Sequence, residues 1–249
     1  VLGVRIGAAK VHTQYTGIGG NTPQSLVNQT CLDIQAGRAD AVLLAGAETW
    51  RTRMRLRANG IRPDWTKQDD AVPVPPGAQD VPMSGPGEDR IGLVPPSFVY
   101  PLFEQALRIA DGESMDDHRH RIGALWAQFS AVAQGNPHAW NREAFTAEQI
   151  WRPGPDNRMI SWPYPKLMNS NNMVDQGAAL ILCSAGKAEQ LQIPRDRWIF
   201  PHAGTDSHDT YSVAERHELD RSAAIRIGGA RVLELAGVGV DDLDFVDVY

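Results

Sequence analysis

Residues 11–48, VHTQYTGIGGNTPQSLVNQTCLDIQAGRADAVLLAGAE, restrict the fold more than any other stretch of the chain. They read as strand, glycine-rich turn, helix and strand. Residues 10–15 predict the first strand, and Gly17-Ile18-Gly19-Gly20-Asn21 predicts the turn. Thr22 is the expected N-cap and Pro23 the first helical residue, where a missing N–H is no loss. The helix is expected to run to about Gly37, and the apolar run 41–45 then predicts a buried strand. A chain built on this pattern is α/β. The mouth of the helix is a place for chemistry, because its free amides and its dipole stabilise negative charge.

The 249 residues suffice for a substantial core and one or two domains. With 24 basic and 30 acidic residues the net charge is -6, which argues against a nucleic-acid surface. Cys31 and Cys183 both lie in apolar segments and read as free, buried thiols of a reducing compartment. No apolar run has membrane-spanning length and no signal peptide is visible, so a soluble, cytoplasmic protein is expected.

After Glu48 the character of the chain changes. Trp50-Arg51-Thr52-Arg53-Met54-Arg55-Leu56-Arg57 is a basic patch, followed over 61–96 by a proline-rich stretch that reads as a long surface loop with a turn at Gly85-Pro86-Gly87. Arg51, Arg53, Arg55 and Arg57 suit phosphate binding, since guanidinium forks match phosphate geometry. The competing reading is a solvated strand or loop edge, neutralised by Asp69, Asp70, Glu88 and Asp89.

Two helices are expected next. One spans 97–111, with Pro101 in its first turn. The other spans 114–134, with Ser114 as N-cap, Asp116 and Asp117 in the first turn, and an apolar face of Ile122, Leu125, Trp126, Phe129 and Val132. His118 and His120 are two apart and face different directions. With no third ligand at a sensible spacing they read, like His12, as surface residues and not as a metal site. Further on, 185–190 reads as a short helix, 198–201 as a strand and 221–236 as a helix of small residues. His202 and His208, in a polar loop, are candidate acid–base groups or ordinary loop residues.

Four segments, in order, resemble the thiolase superfamily, whose members make or cleave 3-ketoacyl-CoA thioesters. The first is the unit just described, ending Ala36-Gly37-Arg38-Ala39-Asp40 and Ala45-Gly46-Ala47-Glu48. The second is Asn136-Pro137-His138-Ala139-Trp140, similar to a turn of the sterol-carrier-protein type of thiolase, and also readable as a helix end with proline beyond it. The third is Asn169-Ser170-Asn171-Asn172 leading to Asp175-Gln176-Gly177-Ala178-Ala179 and a buried strand. The fourth is 238–249, which resembles the approach to the family's Asn-Glu-Ala-Phe motif.

The resemblance implies a layered α/β thiolase-like fold with mixed sheets and an inserted loop domain: 1–50 closing the first half, 51–165 the loop domain and 166–249 opening the second half. It implies further units before Val1 and after Tyr249. The family's nucleophilic cysteine falls on Gly20, and Cys31 lies about three helical turns away. Tyr249 falls on the Asn position. The implied ligand is coenzyme A or an acyl-CoA, with no covalently bound cofactor and no metal. Asn171 and Asn172 stand where the pantetheine arm is held, or simply make the turn, and Arg51 and Arg53 are placed for the CoA phosphates. A homodimer or a thiolase-like partner subunit is the implied assembly. Three functions follow. The first is an acyl-CoA acyltransferase of the acetyl-CoA acetyltransferase type, acting in lipid metabolism, with Gly20 in place of the cysteine. The second is a retro-aldolase or other C–C lyase using Tyr249, as thiolase-like retro-aldolases of steroid side-chain breakdown use tyrosines. The third is a non-catalytic CoA-thioester binder or partner subunit.

Overall fold

The computed structural model describes residues 2–8, 11–66 and 81–248. In chain order its elements are α1 (Leu2–Arg5), α2 (Thr22–Gln35), β1 (Ala41–Thr49), α3 (Trp50–Ala58), α4 (Pro86–Ile91), α5 (Pro96–Ala110), α6 (Met115–Gly135), α7 (Ala147–Trp151), β2 (Met159–Ser161), β3 (Tyr164–Pro165), β4 (Asp175–Cys183), α8 (Ala185–Gln190) and α9 (Ala223–Ala236). They form two compact units. One comprises Val1–Val81, Asn172–His208 and Ala224–Tyr249, and the other Pro82–Asn171 and Asp209–Ala223.

In the first unit β1 pairs antiparallel with β4, from Ala41 opposite Cys183 to Thr49 opposite Asp175. The glycines and alanines of both strands face each other within this ladder, at Gly46 opposite Ala178 and Ala47 opposite Gly177. α2 ends as its sequence dictates: Gly37 adopts φ +70, and the Arg38 amide turns back to the Asp33 carbonyl at 2.8 Å. Its N-cap is Asn21, one residue before the expected Thr22, and Pro23 sits in the first turn.

Several expectations are corrected here. β1 and β4 are strands but are not buried, and Ile181 is 74% exposed. α2 touches both strands and leaves Val42 and Leu44 half-buried, but among the described residues a two-stranded ribbon has no second layer to cover its other apolar residues. Cys31 and Cys183 are free but only partly buried. Among the described residues, 11–15 pair with no strand, and Lys10 lies outside those residues. Residues 198–201 are likewise unpaired, because an extended run becomes a strand only when a neighbour takes its hydrogen bonds. The basic patch is the helix α3, not a strand or loop edge. The expected loop 61–96 holds α4, and its residues 67–80 lie outside the described residues.

The second unit packs around Ile122, Ile150, Trp151 and Met168, flanked by Ala127, Phe145, Ala147 and Tyr164. α6 and α7 approach closely at Gly123, where a Cβ would come within 2.6 Å of Trp151 Cδ1. Asn157 is buried beneath α7. Its amide donates to the carbonyls of Gln149, Ile150 and Arg152 at 3.0, 2.9 and 3.1 Å, and its Oδ1 accepts from Leu167 N at 2.9 Å. Glu88, also buried, accepts from the amides of Gly85 and Ala214 at 2.7 and 2.8 Å, which joins α4 to residues 213–215.

Ser114 caps α6 as expected, accepting from Asp117 N at 3.1 Å. The buried face of α6 is not the expected one. Ile122 is buried, but Leu125, Trp126, Phe129 and Val132 are exposed. Beside Ile122 the packed stripe carries His118, Gly123, Ala127 and Ser130, small and polar residues that an apolar count overlooks. α5 begins at Pro96, so Pro101 falls in its second turn, where it is buried.

Candidate functional site

The turn before α2 is held from both sides. Thr22 N donates to Gly19 O at 3.2 Å and Ser25 N to Asn21 O at 3.1 Å. Residues 205–207 bridge α2 to α9. Asn28 Nδ2 donates to Thr205 O at 3.2 Å, Thr205 Oγ1 to Gly228 O at 3.0 Å, and Ser207 Oγ to Ala224 O at 3.0 Å. Asn21 Nδ2 reaches Asp206 Oδ1 at 3.4 Å. His202 and His208, on either side of this bridge, are exposed.

Gly19 and Gly20 differ sharply in their surroundings. A Cβ on Gly19 would lie 2.5 Å from Thr22 Oγ1, whereas a Cβ on Gly20 would meet nothing within 4 Å. Gly20, where the thiolase resemblance leads one to expect a nucleophile, is thus an open place at a helix mouth, without a thiol. Cys31 is nine residues beyond Thr22, or roughly 14 Å along the helix axis, and does not serve this turn.

The predicted arginines lie on α3, and the start of β4 holds the start of that helix. Thr52 N and Oγ1 donate to the two carboxylate oxygens of Asp175 at 3.0 and 2.6 Å, and Arg51 N donates to Val174 O at 3.2 Å. These contacts keep the Asp175 carboxyl below its usual range, first through the Thr52 hydroxyl and then through the amides and charge of Thr52 and Arg51. Arg51 is therefore brought to the strand that Asn172 precedes. Asn171 and Asn172 are both exposed and fall on opposite sides of the boundary between the two units. Arg53 stacks on Trp50 at 5.7 Å. Arg53 also lines a cleft of ≈ 670 Å³ with Arg57, Gly60, Ile61, Arg62, Pro63 and Trp65. Of the acids expected to neutralise this patch, Glu88 holds backbone amides and Asp89 accepts from Ser84 Oγ at 2.5 Å, both within the second unit. Asp69 and Asp70 lie outside the described residues, as does Tyr249.

Sequence reasoning missed a buried charged centre in the second unit. His118, expected at the surface, is 0% exposed. Its Nε2 lies 2.7 Å from Glu104 Oε1 and its Nδ1 2.5 Å from Glu113 Oε2. Arg121 Nε donates to Glu113 Oε1 at 2.6 Å, and the Tyr164 hydroxyl donates to Glu104 Oε2. Arg121 and then His118 hold the Glu113 carboxyl down at about 2 from 4.5. Burial, and then the adjacent Glu104 carboxylate, push the Tyr164 phenol well above its usual value. The one available signal was position: His118 stands one helical turn before Ile122 on the packed stripe. His120 and His12 are at the surface as expected, and His120 sets its edge on Trp151 at 4.8 Å.

Among the described residues no group of His, Cys, Asp and Glu is placed to hold a metal. No helix among them is long and apolar enough to cross a membrane. Asn136 Oδ1 accepts from His138 N at 2.9 Å, so the Asn136-Pro137-His138-Ala139 turn closes on itself after α6.

No family model matches the chain. It is 22% identical over 224 residues to an acetyl-CoA acetyltransferase of Methanocaldococcus jannaschii, covering 90% of this chain and 49% of that protein. It superposes with a TM-score of 0.74 and 29% identity on the crystal structure of a monomeric SCP2-thiolase-like protein type 1 from Mycobacterium smegmatis, covering 93% of this chain and 44% of that one. A likeness of fold extends to the Ltp2-ChsH2(DUF35) aldolase, with a TM-score of 0.60, 17% identity, and coverage of 97% and 56%. The chain spans about half the length of the relatives it matches. The α/β fold is thiolase-like, the similarity reaches an acetyl-CoA acetyltransferase in sequence and a thiolase-like protein in structure, and the chain belongs to the thiolase superfamily.

Proposed function

We propose that this chain handles CoA thioesters on an acyltransferase scaffold of the acetyl-CoA acetyltransferase type, without covalent capture of the acyl group at the α2 turn. The observation that carries this reading is Gly20: the helix mouth is open there and offers no sulfur. A nucleophile is required for a thioester intermediate, and glycine has none. The free amides at the mouth of α2 still suit a carbonyl that develops negative charge. In this reading Asn171 and Asn172 hold the pantetheine arm and Arg51 and Arg53 the CoA phosphates. Its setting is cytoplasmic lipid metabolism, as a homodimer or beside a thiolase-like partner subunit.

The test is calorimetric titration of CoA and acetyl-CoA, with intact-mass measurement after incubation. Saturable heat and no acetyl adduct are expected. Absence of heat at saturating ligand overturns the CoA reading, and an acetyl adduct on the unmodified chain overturns the non-covalent one. Saturable binding without turnover of any acyl-CoA would mark a non-catalytic binder.

A second reading is retro-aldol cleavage of a 3-hydroxyacyl thioester, supported by the missing thiol and by the fold shared with the Ltp2-ChsH2(DUF35) aldolase. A general base takes the hydroxyl proton, the Cα–Cβ bond breaks to give a carbonyl product and a thioester enolate that a phenol can stabilise by hydrogen bonding, and the protonated base returns the proton to the enolate carbon. Tyr249 is the residue proposed for that role. A Tyr249→Phe variant that cleaves as fast as the parent overturns it.

A further inference from the structure

We infer that α6 pairs with the α6 of a second copy of this chain, antiparallel and two-fold symmetric about Gln128 and Phe129. The pairing is independent of the CoA reading and gives a homodimer its surface. α6 is divided along its length. Its first turns carry Asp116, Asp117, Arg119 and Arg121, all engaged in contacts within the second unit. From Ile122 to Gly135 it carries no charged residue, and none follows before Arg142, in a chain that is 22% charged. One side of this stretch is spent on the core of the unit, through Ile122, Gly123 and Ser130. On the other side Leu125, Gln128, Val132 and Gly135 stand outward at the spacing of a two-helix seam, and all four are exposed. Phe129 and Val132 are 60% and 74% exposed.

The seam is complementary to itself. A two-fold contact sets a patch against its own copy, where any charge near the axis meets its like. The stretch from Ile122 to Gly135 meets that condition, and its midpoint falls between Gln128 and Phe129. Antiparallel pairing about this midpoint sets Leu125 opposite Val132 of the second copy. It also leaves the charged first turns beyond the far end of the seam. Gln128 then lies beside the axis. Its amide both donates and accepts, so two of them satisfy each other and fix a register that aliphatic contacts alone do not. Ala124 and Ala131 flank the seam and let the helix axes approach to about 8–10 Å. Leu125, Phe129 and Val132, with Ala124, Gln128 and Ala131, offer on the order of 400 Å² per copy, which suits a reversible pair and falls short of a permanent one at roughly 800 Å². A lipid surface would call for basic residues around the apolar face, and residues 122–141 have none. The thiolase-like protein of Mycobacterium smegmatis is monomeric, so the shared fold does not by itself join two chains, and pairing must come from the residues of α6.

The experiment is sedimentation velocity of the full chain over a concentration series, with thermal melts to verify that every variant is folded. The parent is expected to pass from monomer to dimer with a midpoint in the micromolar range. Gln128→Glu and Gln128→Lys are each expected to weaken the dimer at least about tenfold, because each sets like charges together across the axis. An equimolar mixture of these two variants is expected to dimerise again, since opposite charges then meet. Val132→Asp is expected to weaken the dimer as well. A parent that stays monomeric up to about 1 mM overturns the pairing. A dimer that all three variants keep lies on another surface and overturns it too. Variants that dissociate but do not recover on mixing overturn the two-fold contact at Gln128. CoA titrated into the parent and the Gln128→Glu variant is expected to give the same result in both, so loss of the CoA reading and loss of the pairing are told apart.

Discussion

His118 and Glu104 join two helices: the imidazole Nε2 on α6 lies 2.7 Å from the carboxylate of Glu104 on α5. The other ring nitrogen faces Glu113 at 2.5 Å, so each ring nitrogen lies within hydrogen-bonding distance of a carboxylate. The ring is closed off from water and ties Glu104 of α5 to Glu113 and α6 within the second unit. His118→Gln leaves two carboxylates without their shared hydrogen-bond partner. The variant is expected to lose about 2–3 kcal/mol, less than the full cost of an orphaned buried charge because both carboxylates keep some water. Urea unfolding of the full chain measures it, and a midpoint equal to the parent's would refute the tie.

The same centre sets an acid limit. Glu113 titrates at about 2 in the folded chain instead of 4.5, because Arg121 and then His118 favour its charged form. A depressed carboxyl contributes stability that is fully present above the unfolded value of 4.5 and is lost as pH falls through the folded value of about 2. Glu88 and Asp175 are shifted in the same direction by the hydrogen bonds they accept, so the parent alone does not isolate this group. Glu113→Gln is expected to melt lower than the parent at neutral pH. The gap between the two melting temperatures is expected to narrow between pH 4.5 and 2. A gap independent of pH would remove Glu113 from the acid response.

What the sequence made legible was local. The caps of α6 and α8 follow from Ser114 and Ser184, each accepting an amide three residues on. The end of α2 follows from Gly37. The likeness to thiolases was readable in motifs that come in order along the chain. What was not legible depends on distant partners. β1 finds β4 across the whole intervening sequence of the second unit. Arginines at alternate positions from 51 to 57 have the period of a strand, yet the segment is a helix whose first turn is capped by Asp175, 123 residues later. His118 looked like a surface residue because Glu104 and Tyr164, which enclose it, are separated by 60 residues. At the candidate site, the absence of sulfur at position 20 was plain from the letters. That Gly19 is hemmed in while Gly20 is open, and that Arg62 and Trp65 join Arg53 at one cleft, required coordinates.

The Asp175 cap yields a further prediction. Both carboxylate oxygens are used, one on the Thr52 amide and one on its hydroxyl, and they fix where α3 leaves the end of β1. Asp175→Ala is expected to lower the melting temperature and to weaken binding of CoA, because Arg51 and Arg53 are presented by the helix it starts. Asp175→Asn, which keeps one acceptor and adds a donor, is expected to fall between the two. Melting and titration of the same three proteins check this, and an Asp175→Ala variant with the parent's melting temperature would show that the cap is dispensable.

The last prediction separates Gly19 from Gly20. A methyl group on Gly19 would overlap Thr22 Oγ1 at 2.5 Å, a contact that forces the turn or the first residue of α2 to move. Gly19→Ala is expected to destabilise the chain by about 1–3 kcal/mol, the usual range for overpacking. Gly20 has open space within 4 Å of its Cβ direction and a backbone outside the left-handed region, so Gly20→Cys is expected to change stability by less than about 0.5 kcal/mol. The added thiol would stand at the N-terminus of α2, where the helix favours thiolate. It is expected to react with iodoacetamide faster than Cys31 or Cys183, which stand within α2 and at the end of β4. Peptide mapping after a short pulse of reagent compares the three sulfurs in one sample. Equal destabilisation by the two substitutions would mean that the turn is not open at Gly20, and slow alkylation of the new thiol would mean that the helix mouth does not activate a nucleophile placed there.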